Sequence, residues 1–233
     1  MGFFAAVAGV ITVSGCGLGT PSEELRYRLT VEVDTPEGLK TGSSVIAIRG
    51  VKNPDWVTPE ARGTRASFQG EAAAVDLPGG KTLFALLETG SGLSDAAEYP
   101  WFAFADRLKD SPDWLESIRR MRGWKGEVAA ITGTEQLRED NQIKQVPVLP
   151  KLVQFKDIRD PKSVERVDTA NLAAIFGAGV SLRRITVEVT DDAVTTGLER
   201  RLGWLRQMES HNFEKDGSFS AKYPRDLIGL RTL

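Results

Sequence analysis

The chain has 233 residues, 41% of them hydrophobic and 27% charged, with a formal net charge of −2. A near-neutral balance excludes the broad basic field that carries nucleic-acid binding, and it gives no electrostatic case for an anionic bilayer surface. One cysteine excludes an internal disulfide, and one cysteine with one histidine falls short of the usual zinc ligand sets.

The chain begins with an uncharged apolar run, Phe3 to Val13. A run of this length followed by small residues is the pattern of an export signal and its cleavage site. It is too short to span a bilayer, which takes about 20 apolar residues. Val13-Ser14-Gly15-Cys16 closes the run and holds the only cysteine. These four residues resemble the lipobox of bacterial lipoproteins, a branched apolar residue and two small residues before a cysteine. The resemblance covers the first 20 residues or so. It implies a signal peptide over 1–15, a diacylglyceryl group on the Cys16 sulfur, an acylated new amino terminus, and a tether over 16–24. Gly17, not Asp, follows the cysteine, which in this resemblance favours the outer membrane of a Gram-negative cell. The partner it implies is the lipid bilayer, reached through Cys16. The sequence departs from a signal in one respect, since no Lys or Arg precedes Arg26. Two alternatives stay open: a plain cleaved signal, and an intracellular protein with a misread start, in which Phe3–Val13 packs into the domain.

From Leu25 to Asp34 apolar and polar residues alternate strictly, which predicts a strand with one buried and one wet face. Thr35-Pro36-Glu37-Gly38 reads as a turn into a partner strand over Leu39–Arg49. The prediction buries Tyr27, Leu29 and Val31 against the helical middle of the chain. A second hairpin is predicted from Glu71–Leu77 and Lys81–Leu87 across Pro78-Gly79-Gly80. Trp101–Leu108 reads as a short helix. Ser111-Pro112 reads as a helix cap and first position, followed by the stripe Trp114, Leu115, Ile118, Met121 and a stop at Gly123. Val128–Thr132 and Leu152–Lys156 read as strands, with a seam at 146–150 between them. Asp160-Pro161 opens a helical turn, Asp168 caps a helix over Thr169–Phe176, Leu182–Thr190 is a strand, and Gly197–Met208 is a helix with Leu198, Leu202 and Leu205 on one side. Intermixed strands and helices without βαβ alternation predict an α+β fold, mainly antiparallel sheet with short helices packed on it, as a single domain over 25–233.

No motif for catalysis is complete. Gly80-Lys81-Thr82 ends like a phosphate loop, but Val75 stands where the first glycine belongs and a strand follows. Gly177-Ala178-Gly179 has Leu182 at the third glycine position of a dinucleotide loop. Ser44 and Ser181 lack the second glycine of a nucleophile elbow. His211 stands in a polar stretch. Carboxylates are the abundant reactive groups, densest at Asp191-Asp192, Glu139-Asp140 and Asp157/Asp160, with no calcium-loop spacing. Trp101, Trp114 and Trp124, with Phe102 and Phe104, form either a packed core or a stacking surface. The expectation is a lipid-anchored cell-envelope protein serving as a non-catalytic binding or structural accessory module, with Cys16 as its lipidation site and no catalytic residue, metal or cofactor. The alternative function is an envelope hydrolase using carboxylates and His211.

Overall fold

The alternating segment becomes the longest ladder of the fold. In the computed structural model, which describes residues 20–54, 56, 58, 63–139, 141–208, 227 and 229–232, strand β1 (Ser22–Thr35) pairs with β2 (Gly38–Lys52) in unbroken antiparallel register from Ser22↔Val51 to Thr35↔Gly38. Thr35 Oγ1 donates to the Gly38 carbonyl at 2.7 Å, and Gly38 has φ +107° at the end of the turn. The conformation is one that glycine adopts without a side-chain clash. Leu25, Tyr27, Leu29, Val31 and Val33 are all buried, as the period of two requires.

On its other side β1 pairs with β11 (Ser181–Val189). A register shift between Glu32 and Val33 makes Arg183 the extra residue, which is why alternation in β11 is clean only from Ile185. Strand β6 (Val128–Ala130) closes that edge. At the opposite edge β3 (Thr64–Glu71) pairs with β2, and β12 (Arg231–Thr232) pairs with β3. The six-stranded order is β12-β3-β2-β1-β11-β6.

The run read as one strand from Glu71 is two. β3 ends at Glu71, Ala72 turns a corner, and β4 (Ala73–Leu77) continues in a second sheet. This sheet has the order β10-β9-β5-β4, with β5 (Lys81–Thr89), β9 (Pro150–Phe155) and β10 (Val164–Arg166). The Pro78–Gly80 turn joins β4 to β5 as predicted. In β5, Leu83, Ala85 and Leu87 face the core between the sheets, while Phe84 and Leu86 join Leu198, Leu202, Trp204, Leu205, Leu227 and Leu230 in a second cluster on the far side. A strand buried on both faces reads as a continuous apolar run. The inner face of β1 therefore meets the second sheet as well as the helices, and the helical middle is only part of what covers it.

The helices are short: α1 (Tyr99–Ala103), α2 (Ala105–Leu108), α3 (Trp114–Arg122), α4 (Ala173–Phe176) and α5 (Leu205–Met208). Phe104, with φ −111° and ψ 25°, breaks the predicted Trp101–Leu108 helix in two. Asp113, not Ser111, caps α3, its side chain accepting from Glu116 N at 2.8 Å. Asp168 caps only a turn, accepting from Ala170 N. The predicted Gly197–Met208 helix is a 3-10 turn at Leu198–Arg200 followed by α5. Two antiparallel sheets with short helices bring the fold nearer to all-β than to the expected α+β.

The sheets approach closely at Gly42, where an added Cβ would overlap the backbone carbonyl of Ala74. Gly42→Ala should destabilise the protein by about 1–3 kcal/mol, the usual cost of overpacking. Gly203→Ala, at a position with open space, should stay within about 0.5 kcal/mol of the parent. Chemical denaturation of both checks this. In the same assay Leu29→Ala should cost about 2–4 kcal/mol, and Thr30→Ala on the half-exposed face less than about 0.5 kcal/mol. Equal effects from the last two would refute the two-faced sheet.

Candidate functional site

Strands β7 (Thr134–Glu139) and β8 (Gln142–Pro147) form a hairpin that pairs with neither large sheet. Its register sets Glu135 opposite Val146 and Leu137 opposite Lys144. Directly opposed residues share a face, so Glu135, Leu137 and Val146 lie together. Beneath that face opens a cleft of about 460 Å³, bounded by the turn after β5, the start of β9 and the chain leaving β10. Leu137, Val146, Pro147, Leu149, Leu152 and Val167 make its apolar lining, and Ser91, Lys151, Arg166, Asp168 and Thr169 its polar groups. Apolar walls with a few convergent polar groups are the usual build of a ligand pocket.

The polar groups are held in place from below. Lys151 is ion-paired with Glu88, both side chains largely buried. The Ser91 hydroxyl donates to Glu135 Oε1 and so ties the hairpin to the β5 turn. Leu93 N donates to Ser91 Oγ at 3.1 Å, and Ser94 N to Thr89 Oγ1 at 3.2 Å, which fixes the turn itself. Arg166 donates to the Gly90 carbonyl at 2.5 Å. Glu135 Oε2 is buried with no hydrogen-bond partner among the described residues. Under the turn, Tyr27 donates to the Ala96 carbonyl at 2.7 Å and Tyr99 to the Leu86 carbonyl at 3.2 Å, and burial pushes both phenols well up. Burial also raises the Asp95 carboxyl, against a backbone hydrogen bond from Ala97 that lowers it. The arrangement can take an apolar group between hairpin and sheet and offer it hydrogen-bonding groups at the margin.

None of the candidate catalytic or lipidation residues read from the sequence is among the described residues that line this cleft, whereas residues read as the 146–150 seam, as the Leu152–Lys156 strand and as the Asp168 cap do line it. Cys16 and His211 lie outside the described residues. Asp191 is ion-paired with Lys125 and Asp192 with Arg28, all on the surface. The Lys125 ammonium holds the Asp191 carboxyl below its ordinary range. Glu139 is paired with Lys144 and Asp157 with Arg159. Trp101 stacks on Trp114 with centroids 4.0 Å apart, and Phe104 lies 5.4 Å from Trp124; all four pack on the main core. Among the described residues no group of three His, Cys, Asp or Glu is placed to hold a metal ion. The hairpin itself went unread because Leu137 is an isolated apolar position in a polar stretch and Val146 falls in the apolar, Pro-flanked run read as the 146–150 seam. The turn-forming pair Asp140-Asn141 was the available signal. Comparison with protein-family models, with curated proteins and with solved structures finds no match to this chain.

Asp95 gives a pH dependence whose sign is fixed. Its folded pKa is raised, so the folded state holds a proton that the unfolded state has released, and stability falls as pH rises from about 3.8 through the folded value. Asp95→Asn should flatten that part of the stability-against-pH curve and leave the acid limb below pH 3.8, set by lowered carboxyls such as Asp76, in place. Thermal melts across pH 3–7 check it; an unchanged slope above pH 4 in the variant would exclude Asp95 as the source.

Proposed function

We propose that this is a lipid-anchored protein of the bacterial cell envelope, held by an acylated Cys16 and acting as a binding or structural accessory module rather than as an enzyme. The observation that carries the anchor is Val13-Ser14-Gly15-Cys16 at the end of an uncharged apolar run, with no other cysteine in the chain. Gly17 at the following position favours the outer membrane where the cell has two. An anchor of several acyl chains suffices for stable attachment, because one chain alone binds only marginally. The binding role is supported by the cleft under the β7–β8 hairpin, whose apolar walls and pre-positioned polar groups suit a small apolar ligand or a side chain of a partner. Strand β1 starts at Ser22, so the domain would sit close to the bilayer.

The hydrolase reading has less in its favour. Asp191 and Asp192 are each neutralised by a surface cation rather than gathered in a cleft.

Expression of the full chain and of Cys16→Ser with labelled palmitate tests the anchor. The parent should carry label and start at an acylated Cys16 by mass spectrometry, and Cys16→Ser should carry none. Equal labelling of the two, or an intact Met1 or Gly2 terminus on the native protein, would overturn the proposal.

A further inference from the structure

Most cations among the described residues are ion-paired. Arg119 and Arg122 on α3 both reach Glu23, Arg26 reaches Glu24, Arg183 reaches Asp34 and Arg201 reaches Asp76. The end of the β2–β3 hairpin is different. Arg49, Lys52 and Arg65 are exposed and make no ion pair with any described residue. The register sets Arg49 and Arg65 on one face, with Ser67 opposite Arg49 and Val51 opposite Arg65, and Lys52, opposite Thr64, ends the same pair of strands with its side chain on the other face. Arg49, Val51, Arg65, Ala66 and Ser67 line one shallow groove. The acids on the neighbouring strand are already engaged, Glu23 by two arginines and Glu24 by Arg26. The residues joining the two strands add Asp55, Glu60 and Arg62 by sequence, which reduces the local positive charge without cancelling it.

Two further observations meet at the same place. Trp56, in the β2–β3 connection, is 85% exposed, the most exposed of the large hydrophobic side chains among the described residues. Indole combines an apolar body with a polar N–H and concentrates at membrane–water interfaces. The chain also enters the fold here. Lys52 N donates to the Pro21 carbonyl at 2.9 Å, and Ser22 lies opposite Val51. Four residues separate Pro21 from Cys16, so the five steps between them reach about 18 Å at most.

We infer that the β2–β3 hairpin end is the membrane-facing surface of the domain and that its partner is the anionic headgroups of the bilayer. Arg49, Lys52 and Arg65 meet the headgroup charge and Trp56 enters the interface. This rests on the lipid-anchored reading for its geometry, and its charge chemistry is testable apart from acylation. Basic residues near an anionic surface act within about a Debye length, roughly 10 Å, and each strengthens attachment on the order of fivefold. An acyl anchor that brings the hairpin within that distance converts a weak contact into a fixed orientation.

The test uses the full chain carrying Cys16→Ser, which cannot be acylated. Co-sedimentation is measured with phosphatidylcholine vesicles, with and without about a third phosphatidylglycerol, at low salt and at about 0.5 M salt. Anionic vesicles should be preferred on the order of tenfold at low salt, and the preference should vanish at high salt. Arg49→Gln/Lys52→Gln/Arg65→Gln should abolish it. Lys109→Gln/Arg138→Gln/Lys162→Gln, which removes three cations elsewhere that also lack ion pairs among the described residues, should retain it. Trp emission should shift to the blue on anionic vesicles, and Trp56→Phe should remove that shift. Equal binding to both vesicle types, equal loss in the two triple variants, or an unaltered shift in Trp56→Phe would overturn the inference. If palmitate labelling fails while the anionic preference holds, the anchor falls and the surface stands. If labelling succeeds and the preference is absent, the surface alone falls.

Discussion

The fold turns on the corner at Ala72, where the chain leaves one sheet and enters the other. Glu71 is buried there, accepting from Leu198 N at 2.8 Å and ion-paired with Arg231 at 3.3 Å. Arg231 sits on β12 and also reaches Glu199. One carboxylate thus ties the six-stranded sheet, the 3-10 turn at Leu198–Arg200 and the last strand together. Where β3 departs, the next backbone partners on β2 would be left open. Thr195 takes them instead: its N–H donates to the Val45 carbonyl at 3.0 Å, and its hydroxyl accepts from Val45 N at 2.8 Å. Buried backbone groups left unpaired are costly, so the crossing requires this replacement. A buried charge is equally costly without its partner, which makes Arg231 a condition of the corner and not an ornament of it.

The corner has consequences at both ends of the second sheet. Because β4 starts directly at Ala73, the sheet is pressed against β2, and only glycine at position 42 allows the approach. Because Leu198, Leu202, Trp204, Leu205, Leu227 and Leu230 pack on its outer face, β5 is covered on both sides. From the turn after β5, Ser91 reaches Glu135 on the hairpin that pairs with neither large sheet. The cleft lies between a sheet packed on two cores and a hairpin tied to it by the Ser91–Glu135 hydrogen bond and, just past the end of β8, by Gly90 N donating to the Leu149 carbonyl at 2.9 Å.

Legibility of the sequence followed the locality of the forces. The β1–β2 hairpin was readable because its periodicity and its Pro-Glu-Gly turn are written in consecutive residues. The Pro78–Gly80 turn and the Asp160-Pro161 turn were readable for the same reason. The Glu71 corner was not, since a strand that changes sheets keeps a strand-like sequence, and only the distant Leu198, Thr195 and Arg231 reveal it. Ser111 lost the α3 cap to Asp113 because both can accept the hydrogen bond, and the choice depends on where the helix meets the core through Leu115 and Ile118. The Gly197–Met208 stripe was right about its apolar side and wrong about its regularity: Leu198, Leu202 and Leu205 share one cluster across a broken helix. Of the candidate site, the strands beneath the cleft were legible, whereas the hairpin above it was not, because a two-stranded ribbon with one half-wet face carries little apolar pattern.

Net charge misled for a related reason. A total of −2 is a sum over the chain, and a sum is blind to where the pairs form. Cross-strand register matches Arg28 with Glu188 and Arg184 with Glu32, each pair opposite in sign on one face. Pairs of this kind contribute little singly at an exposed site, yet they balance these charges along the β1–β11 ladder. Register at the far end of β2 and β3 sets Arg49 beside Ser67 and Val51 beside Arg65, so no acid opposes the cations across that pair of strands. On the β1 side Glu24 stands opposite Arg49, but its carboxylate pairs with Arg26 and leaves Arg49 without an ion pair among the described residues. A near-neutral composition excludes a uniform field, but strand register decides whether a local one survives, and here it survives next to the point where the chain enters the fold.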